Sequence, residues 1–189
     1  MPIALPSRYR PSQIAMFAAW QHEDAIDEFL RSDRLGKALA KGWHVRMEFL
    51  RRWGYIHELN GLPLVAHEYD DQLPVVAVTL ARLRISQAFR FIRWGKPVEE
   101  QVRDDPATTI TLAAMRPIGT LSTFSIWKTQ QAMTDMVHGR SQSAAAQRHV
   151  NAMRERNRKD FHHEFTTLRF RPISEHGKWQ GRDRLLPEV

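Results

Sequence analysis

Cysteine is absent from this chain of 189 residues. Its absence excludes disulfide bonds, cysteine-held iron–sulfur clusters, thiolate-ligated haem and every mechanism that needs a thiol nucleophile. A bound metal would therefore take nitrogen or oxygen ligands, or a methionine thioether. Because the chain has nine histidines, imidazole is the first candidate.

Long apolar runs are also missing. The longest, Val75 to Ala81, is far shorter than the roughly 20 residues that a membrane-spanning helix needs. The first residues, Met1 to Pro6, show no basic region followed by a long apolar run, so they do not resemble a signal peptide. We expect a cytoplasmic protein without a membrane span, for which peripheral membrane contact stays open.

Several catalytic motifs are absent. The chain has no glycine-rich phosphate loop and no Gly-x-Ser-x-Gly nucleophile elbow. None of its four His-Glu dipeptides is followed by the second histidine of a zinc protease motif. The pairs His22/Asp24 and His162/Glu164 have the spacing of part of a non-haem iron site, which would need a distant third histidine. Hydrogen-bonded surface residues are the alternative.

Acidic residues are outnumbered by basic ones. The formal net charge is +7, and segment 140–184 carries 11 Lys and Arg against 5 Asp and Glu. Such a basic face suits nucleic acid, an anionic membrane surface or an acidic cofactor, and a solvated helix face is the alternative. Zinc-finger spacing and the aromatic strand pair of RNA-binding domains are both absent. We therefore predict no nucleic-acid partner.

The chain has the usual size of one domain, and it reads as three β-α-β units. The motif Phe-x-x-Trp-x4-Ala occurs twice, from Phe17 to Ala25 and from Phe124 to Ala132, which suggests that the first and last units are duplicates. In the first copy we expect a strand over 14–20. Duplicated β-α-β units are typical of a ferredoxin-like α+β domain. The middle unit, 75–115, would then be an addition.

This interpretation predicts a single domain over 1–189, with extended or flexible tails at 1–12 and 182–189. Helices cover one face of a ferredoxin-like sheet, and an apolar second face left in water would be costly. We therefore expect a homodimer of the α+β-barrel type, in which the open faces of two sheets meet, or a ligand on that face.

One histidine lies in a distinctive setting. The predicted helix 144–159 brings His149 close to Ala145, Ala152, Met153 and Arg156 at spacings of three and four residues. Small neighbours leave room for a flat group beside the ring, as in a haem-ligating helix. A packing histidine among alanines is the alternative.

Segment 121–181 resembles the spheroidene monooxygenase family. The resemblance rests on Thr123-Phe-Ser-Ile-Trp127, on His149 with Ala152 and Arg154, and on Gly177-Lys-Trp-Gln-Gly181, in that order. Weaker similarity reaches back to Val75. The resemblance implies a ferredoxin-like, haem-dependent oxygenase that acts on an apolar polyene such as a carotenoid.

The resemblance also implies site residues. His149 would be the axial haem ligand, and Arg148 and Arg154 would pair with the haem propionates. Met153 and Trp127 complete the predicted cofactor-binding set. The sequence departs from the family at Phe161-His162 and in the added stretch 139–144, which leaves the substrate open. The sequence does not identify the electron donor. A cofactor-free or non-catalytic domain that binds a small molecule or dimerises is the alternative.

Overall fold

The computed structural model describes residue 10 and residues 12–116, 119–141 and 145–188. These residues form an antiparallel sheet and a set of α-helices. The strands are β1 (His44–Tyr55), β2 (Val75–Leu83), β3 (Thr108–Arg116), β4 (Thr120–Trp127) and β5 (His162–His176). The helices are α1 (Glu23–Ser32), α2 (Arg34–Leu39), α3 (Ala88–Arg103), α4 (Gln130–Val137) and α5 (Arg148–Arg158).

The sheet order is β1-β5-β2-β4-β3, and every neighbouring pair is antiparallel. The part from β2 to β5 runs strand, helix, strand, strand, helices, strand along the chain. Its spatial order of fourth, first, third and second strand is that of a ferredoxin-like sheet. The predicted α+β, ferredoxin-like class is therefore confirmed.

The assignment of the extra element was wrong. The unit 75–115 is the first half of the ferredoxin-like core, with β2 at the centre of the sheet, rather than an addition to it. The additional strand is β1, which pairs with β5 outside that core. Central strands are buried on both faces, which explains the nearly continuous apolar run of β2.

The strand expected over 14–20 is also absent, because these described residues form neither a helix nor a strand. Phe17 instead packs its ring against Phe170 at 5.6 Å between ring centroids. A further strand could pair with the outer edge of β1. A loop already occupies this edge, and its Ala66 amide donates to the Leu50 carbonyl. The first Phe-x-x-Trp motif is therefore not a strand-to-helix junction, whereas the second joins β4 to α4.

One face of the sheet packs against helices. Successive side chains of β2 point to opposite faces, and Val75 joins Trp127 on the helix side. Met133 and Met136 of α4 cover both of them, and all four side chains are buried. Each side chain of this size stabilises the fold by roughly 1.5–3 kcal/mol when fully buried.

The opposite face is covered by the chain itself. Its core contains Val76, Val78, Ile126, Leu168 and Phe170. Connecting segments lie over this core and supply Phe17, Trp43, Leu59, Leu62, Trp179, Leu185 and Leu186. A dimer through this face stays a prediction, but the described parts of the chain already shield much of its apolar surface.

The C-terminal segment, which we expected to be an extended or flexible tail over 182–189, is packed against the sheet at Leu185. Leu185 is only 2% exposed. The amides of Leu185 and Leu186 donate to the Glu175 carboxylate at 2.7 and 3.0 Å, and the Thr109 hydroxyl donates to the Leu185 carbonyl at 2.6 Å. The other expected tail, 1–12, lies almost entirely outside the described residues.

No helix in the described parts of the chain combines the length and apolar character needed to cross a bilayer.

Replacing Leu185 by alanine should lower the free energy of unfolding by about 2–5 kcal/mol, because it leaves a cavity against the sheet. Urea denaturation measures the change. Leu64→Ala is the matched control, since Leu64 is 63% exposed, and it should cost less than about 0.5 kcal/mol. Equal effects of the two variants would contradict the docking of the C-terminal segment.

Candidate functional site

The helices α3 and α5 are joined by a buried glutamine. The Gln101 side chain of α3 donates to the Ala146 carbonyl at 3.2 Å and accepts a hydrogen bond from the His149 amide at 2.9 Å. The first amides of a helix have no partner within it, and the residue before α5, Gln147, makes no capping bond with its side chain. Gln101 therefore caps α5 from a neighbouring helix.

Ion pairs fix the direction of α5 along α3. Arg90, near the start of α3, bonds Glu155 near the end of α5, with 3.1 Å between Nε and Oε1. Arg148 at the start of α5 reaches Glu100 near the end of α3, at 3.2 Å. The two helices are therefore antiparallel, and His149 is held at a defined position.

The imidazole of His149 has a defined tautomer. Its Nδ1 lies 2.9 Å from the carbonyl oxygen of Val137, the last residue of α4. Because a carbonyl can only accept, Nδ1 carries the hydrogen and donates. Nε2 then keeps its lone pair, and it has no hydrogen-bond partner among the described residues.

The same ring is kept neutral. Burial lowers the pKa of His149 below its ordinary value, and the positive charge of Arg169 acts in the same direction, while the Val137 carbonyl opposes them. A neutral imidazole with an anchored Nδ1–H and a free Nε2 is the form that binds metal ions, including haem iron. The donor chemistry of His149 thus fits a residue that would hold a metal ion or haem iron.

The other predicted cofactor residues do not all gather around that ring. Arg148 is engaged with Glu100, Arg154 is exposed and Met153 is half-buried. Trp127 is 1% exposed and donates to the Ser125 hydroxyl at 2.9 Å, which gives it a packing role beneath α4. Their roles toward a haem stay predictions.

A second histidine site lies at the start of β5. His162 is buried and surrounded by the rings of Phe91, Phe161 and Phe165, with centroid distances of 5.6, 5.9 and 5.0 Å. The carboxylate of Asp160 lies 3.3 Å from its Nδ1. A shallow cleft of about 210 Å³ runs past this cluster, lined also by Tyr55.

Burial also controls the charge of His162. It lowers the pKa of His162 to about 4, helped by the positive charge of Arg156 and opposed by Asp160. The ring is therefore neutral at neutral pH. Its backbone amide donates to Asp160 at 3.0 Å, but neither ring nitrogen makes a well-formed hydrogen bond with the described residues.

The non-haem iron site considered from sequence does not form. No group of three or more histidine, aspartate or glutamate side chains in the described part of the chain could hold a metal ion. Glu164, the proposed partner of His162, instead pairs with Arg82. His22 and Asp24 lie at the exposed start of α1.

Gln101 and Arg169 are the residues of this region to which sequence reasoning gave no role. A glutamine in an amphipathic helix looks like a surface residue until its tertiary partner is known. Arg169 lies on a strand among apolar residues and is 8% exposed. A buried polar side chain of this kind requires a partner, but the sequence does not indicate which one.

Comparisons with known proteins give a coarse likeness of fold. No family model and no curated protein matches the chain. A candidate monooxygenase from Fusobacterium nucleatum is 10% identical, with a TM-score of 0.46, over 71% of this chain and 52% of that one. The present chain thus spans about half the length of that protein.

Two shorter proteins are covered almost completely. A conserved protein from Methanosarcina mazei is 11% identical, with a TM-score of 0.42, over 55% of this chain and 96% of that one. A candidate antibiotic biosynthesis monooxygenase from Chloroflexus aurantiacus is also 11% identical, with a TM-score of 0.41, over 55% and 97%. Solved structures similar to this chain therefore include candidate monooxygenases.

Replacing Gln101 by alanine should destabilise the protein by about 1–3 kcal/mol, because the His149 amide and the Ala146 carbonyl would lose their partner in a buried place. Thermal or urea denaturation measures the loss. Gln131→Ala in α4 is the control, since its side chain reaches only Asp135 on the same helix. A Gln101 variant as stable as wild type would show that the interhelical cap is not formed.

The protein should also lose stability in mild acid because of His162. An unfolded imidazole has a pKa of about 6.5, whereas the folded one titrates near 4. The unfolded state therefore binds more protons within this window, and stability falls with the pH by up to about 3 kcal/mol.

His162→Phe removes this titration while it keeps an aromatic ring in the cluster. Denaturation at pH 7 and at pH 5 should show a smaller acid-induced loss in the variant than in the wild type. The same loss in both proteins would mean that His162 is not held neutral.

Proposed function

We propose that this protein is a monooxygenase-like protein that binds haem through Nε2 of His149 and acts on a hydrophobic, carotenoid-like substrate. The observation that carries the proposal is the anchored, neutral imidazole of His149. Its Nδ1–H is donated to Val137 at 2.9 Å, and Nε2 has no competing partner in the described structure. The resemblance of segment 121–181 to spheroidene monooxygenases supports the same assignment.

Bound haem would supply the activation of oxygen, and the residues of this chain would position and tune it. The hydrogen bond from His149 to Val137 fixes the plane of the ring and increases the basicity of Nε2. Gln101 holds the first turn of α5 and thereby the position of His149. The buried positive charge of Arg169 disfavours protonation of the imidazole, so Nε2 stays available near neutral pH.

A cofactor-free protein that binds a small molecule is the second candidate. The cleft beside His162 favours it, because aromatic rings and a neutral imidazole with a nearby carboxylate lie together there. Neither this cleft nor the one lined by Thr109 and Trp179 includes His149 in its lining. In this version the His162 cluster would bind the ligand, and the protein would be colourless.

Haem titration tests the first proposal. The wild-type protein should develop a Soret band with one haem per chain, and His149→Ala should lose it. His138→Ala is a close control, because His138 is also next to α4 and its Nδ1 also contacts a helix carbonyl, that of Thr134 at 2.8 Å, but it is exposed. Its spectrum should match the wild type.

Exogenous imidazole separates ligation from folding. In His149→Gly, added imidazole should restore the Soret band if the lost group was the iron ligand, and circular dichroism should confirm that the variant is folded. A wild-type protein that takes up no haem, or a His149→Ala variant that takes it up equally well, would rule out this site.

A further inference from the structure

Two arginines lie side by side across β1 and β5, and neither has an acidic partner among the residues that the structure describes. Arg51 is directly opposite Arg169 in the antiparallel register. The Nε atoms of both are buried and make no hydrogen bond within the described structure. Arg169 donates from Nη1 to the carbonyl of its neighbour Leu168 at 3.3 Å.

Arg46 and Arg171 of the same two strands are neutralised by carboxylates, whereas Arg52 donates to the Leu62 and Gly54 carbonyls. Arg171, two residues after Arg169, forms a salt bridge with Glu48 at 2.5 Å. Arg46 of β1 pairs with Asp27 of α1 at 2.5 Å. Against this pattern, the pair Arg51 and Arg169 has no carboxylate partner among the described residues.

This arrangement is costly in the absence of an anion. Arg169 is 8% exposed, and a charge taken out of water needs a partner. Burial lowers the pKa of Arg169 to about 10, and the like charge of Arg51 acts in the same direction. An anion between the two guanidinium groups would give the buried charge of Arg169 a partner and would also offset the repulsion between the two arginines.

The two charges also border an apolar surface that is open to solvent. The Trp53 ring lies 4.4 Å from the Arg51 guanidinium carbon and 5.2 Å from that of Arg169. Trp53 is 44% exposed. A ligand that carries an anionic group on an apolar body would match this combination of paired cations and exposed indole.

We propose that Arg51 and Arg169 form a binding site for the carboxylate of an organic ligand whose apolar part lies against Trp53. Guanidinium groups suit this role because their planar donors match the two oxygens of a carboxylate. The charge of Arg169 acts on His149, so one source of the carboxylate is a haem propionate. The other source is an organic acid that binds without haem.

Benzoate is the probe for the site itself, because it joins a carboxylate to an apolar ring. The wild-type protein without haem should bind benzoate in a calorimetric titration, and it should bind neutral benzamide at least tenfold more weakly. Arg51→Gln should weaken benzoate binding at least tenfold. Arg171→Gln, which removes an arginine that Glu48 already neutralises, should leave it unchanged.

A second variant distinguishes loss of binding from loss of folding. Arg169→Met replaces the buried charge by an apolar chain of similar length, so it should fold at least as stably as wild type while it loses benzoate binding. Equal benzoate affinity in wild type and Arg51→Gln, or equal affinity for benzoate and benzamide, would overturn the proposal. Since these titrations contain no haem, failure of the haem proposal does not affect them.

Haem and haem dimethyl ester then distinguish the two sources. If the wild-type protein binds haem dimethyl ester more weakly than haem, and Arg51→Gln weakens haem binding in the same way, the site binds a haem propionate. Equal affinity for haem and its ester, in a protein that binds benzoate, assigns it to a separate organic acid.

Discussion

The burial of β2 on both faces is the constraint on which the rest of the structure depends. Val75 and Val76 are neighbours on this strand and point to opposite sides, yet both are completely buried. A sheet with such a central strand must be covered twice. Helices cover the face of Val75, and the N-terminal segment, the loop after β1 and the C-terminal segment cover the face of Val76.

The two covers have different chemical consequences. The cover on the face of Val76 is made of apolar side chains held by a few hydrogen bonds, such as those that the Leu185 and Leu186 amides donate to the Glu175 carboxylate. The helix layer contains buried polar groups as well. The Gln101 side chain accepts a hydrogen bond from the His149 amide at the start of α5, and the Val137 carbonyl accepts one from Nδ1 of His149. The features that suit ligand chemistry therefore lie on the helix side.

Charge distribution connects the two proposals on this side of the sheet. Burial lowers the pKa of His149, and the positive charge of Arg169 adds to this effect, while Arg169 itself is a buried charge that an anion would stabilise. A ligand that brings a carboxylate close to Arg169 and a metal to His149 would satisfy both groups. If both proposals hold, this electrostatic link would explain why a cation is retained in the interior in spite of its desolvation cost.

The helical and strand periods of the sequence predicted most of the regular elements. Apolar alternation located β1, the apolar run located β2, and acidic residues before an apolar stripe located α1. The short run 14–20 was misassigned, because a short apolar segment packs equally well as a strand or as an irregular cover. The conformation of 14–20 depended on the outer edge of β1, and the loop that contains Val65 already occupies that edge.

The sequence by itself determined the α+β class, the exclusion of thiol chemistry and the choice of His149 as a ligand candidate, because these follow from composition and local spacing. Tertiary structure alone decided that β1, rather than 75–115, is the added element, since strand order depends on pairing between distant segments. It also decided that Gln101 holds His149 and that Arg51 faces Arg169. These contacts join residues 48 and 118 positions apart, and no local pattern records such pairs.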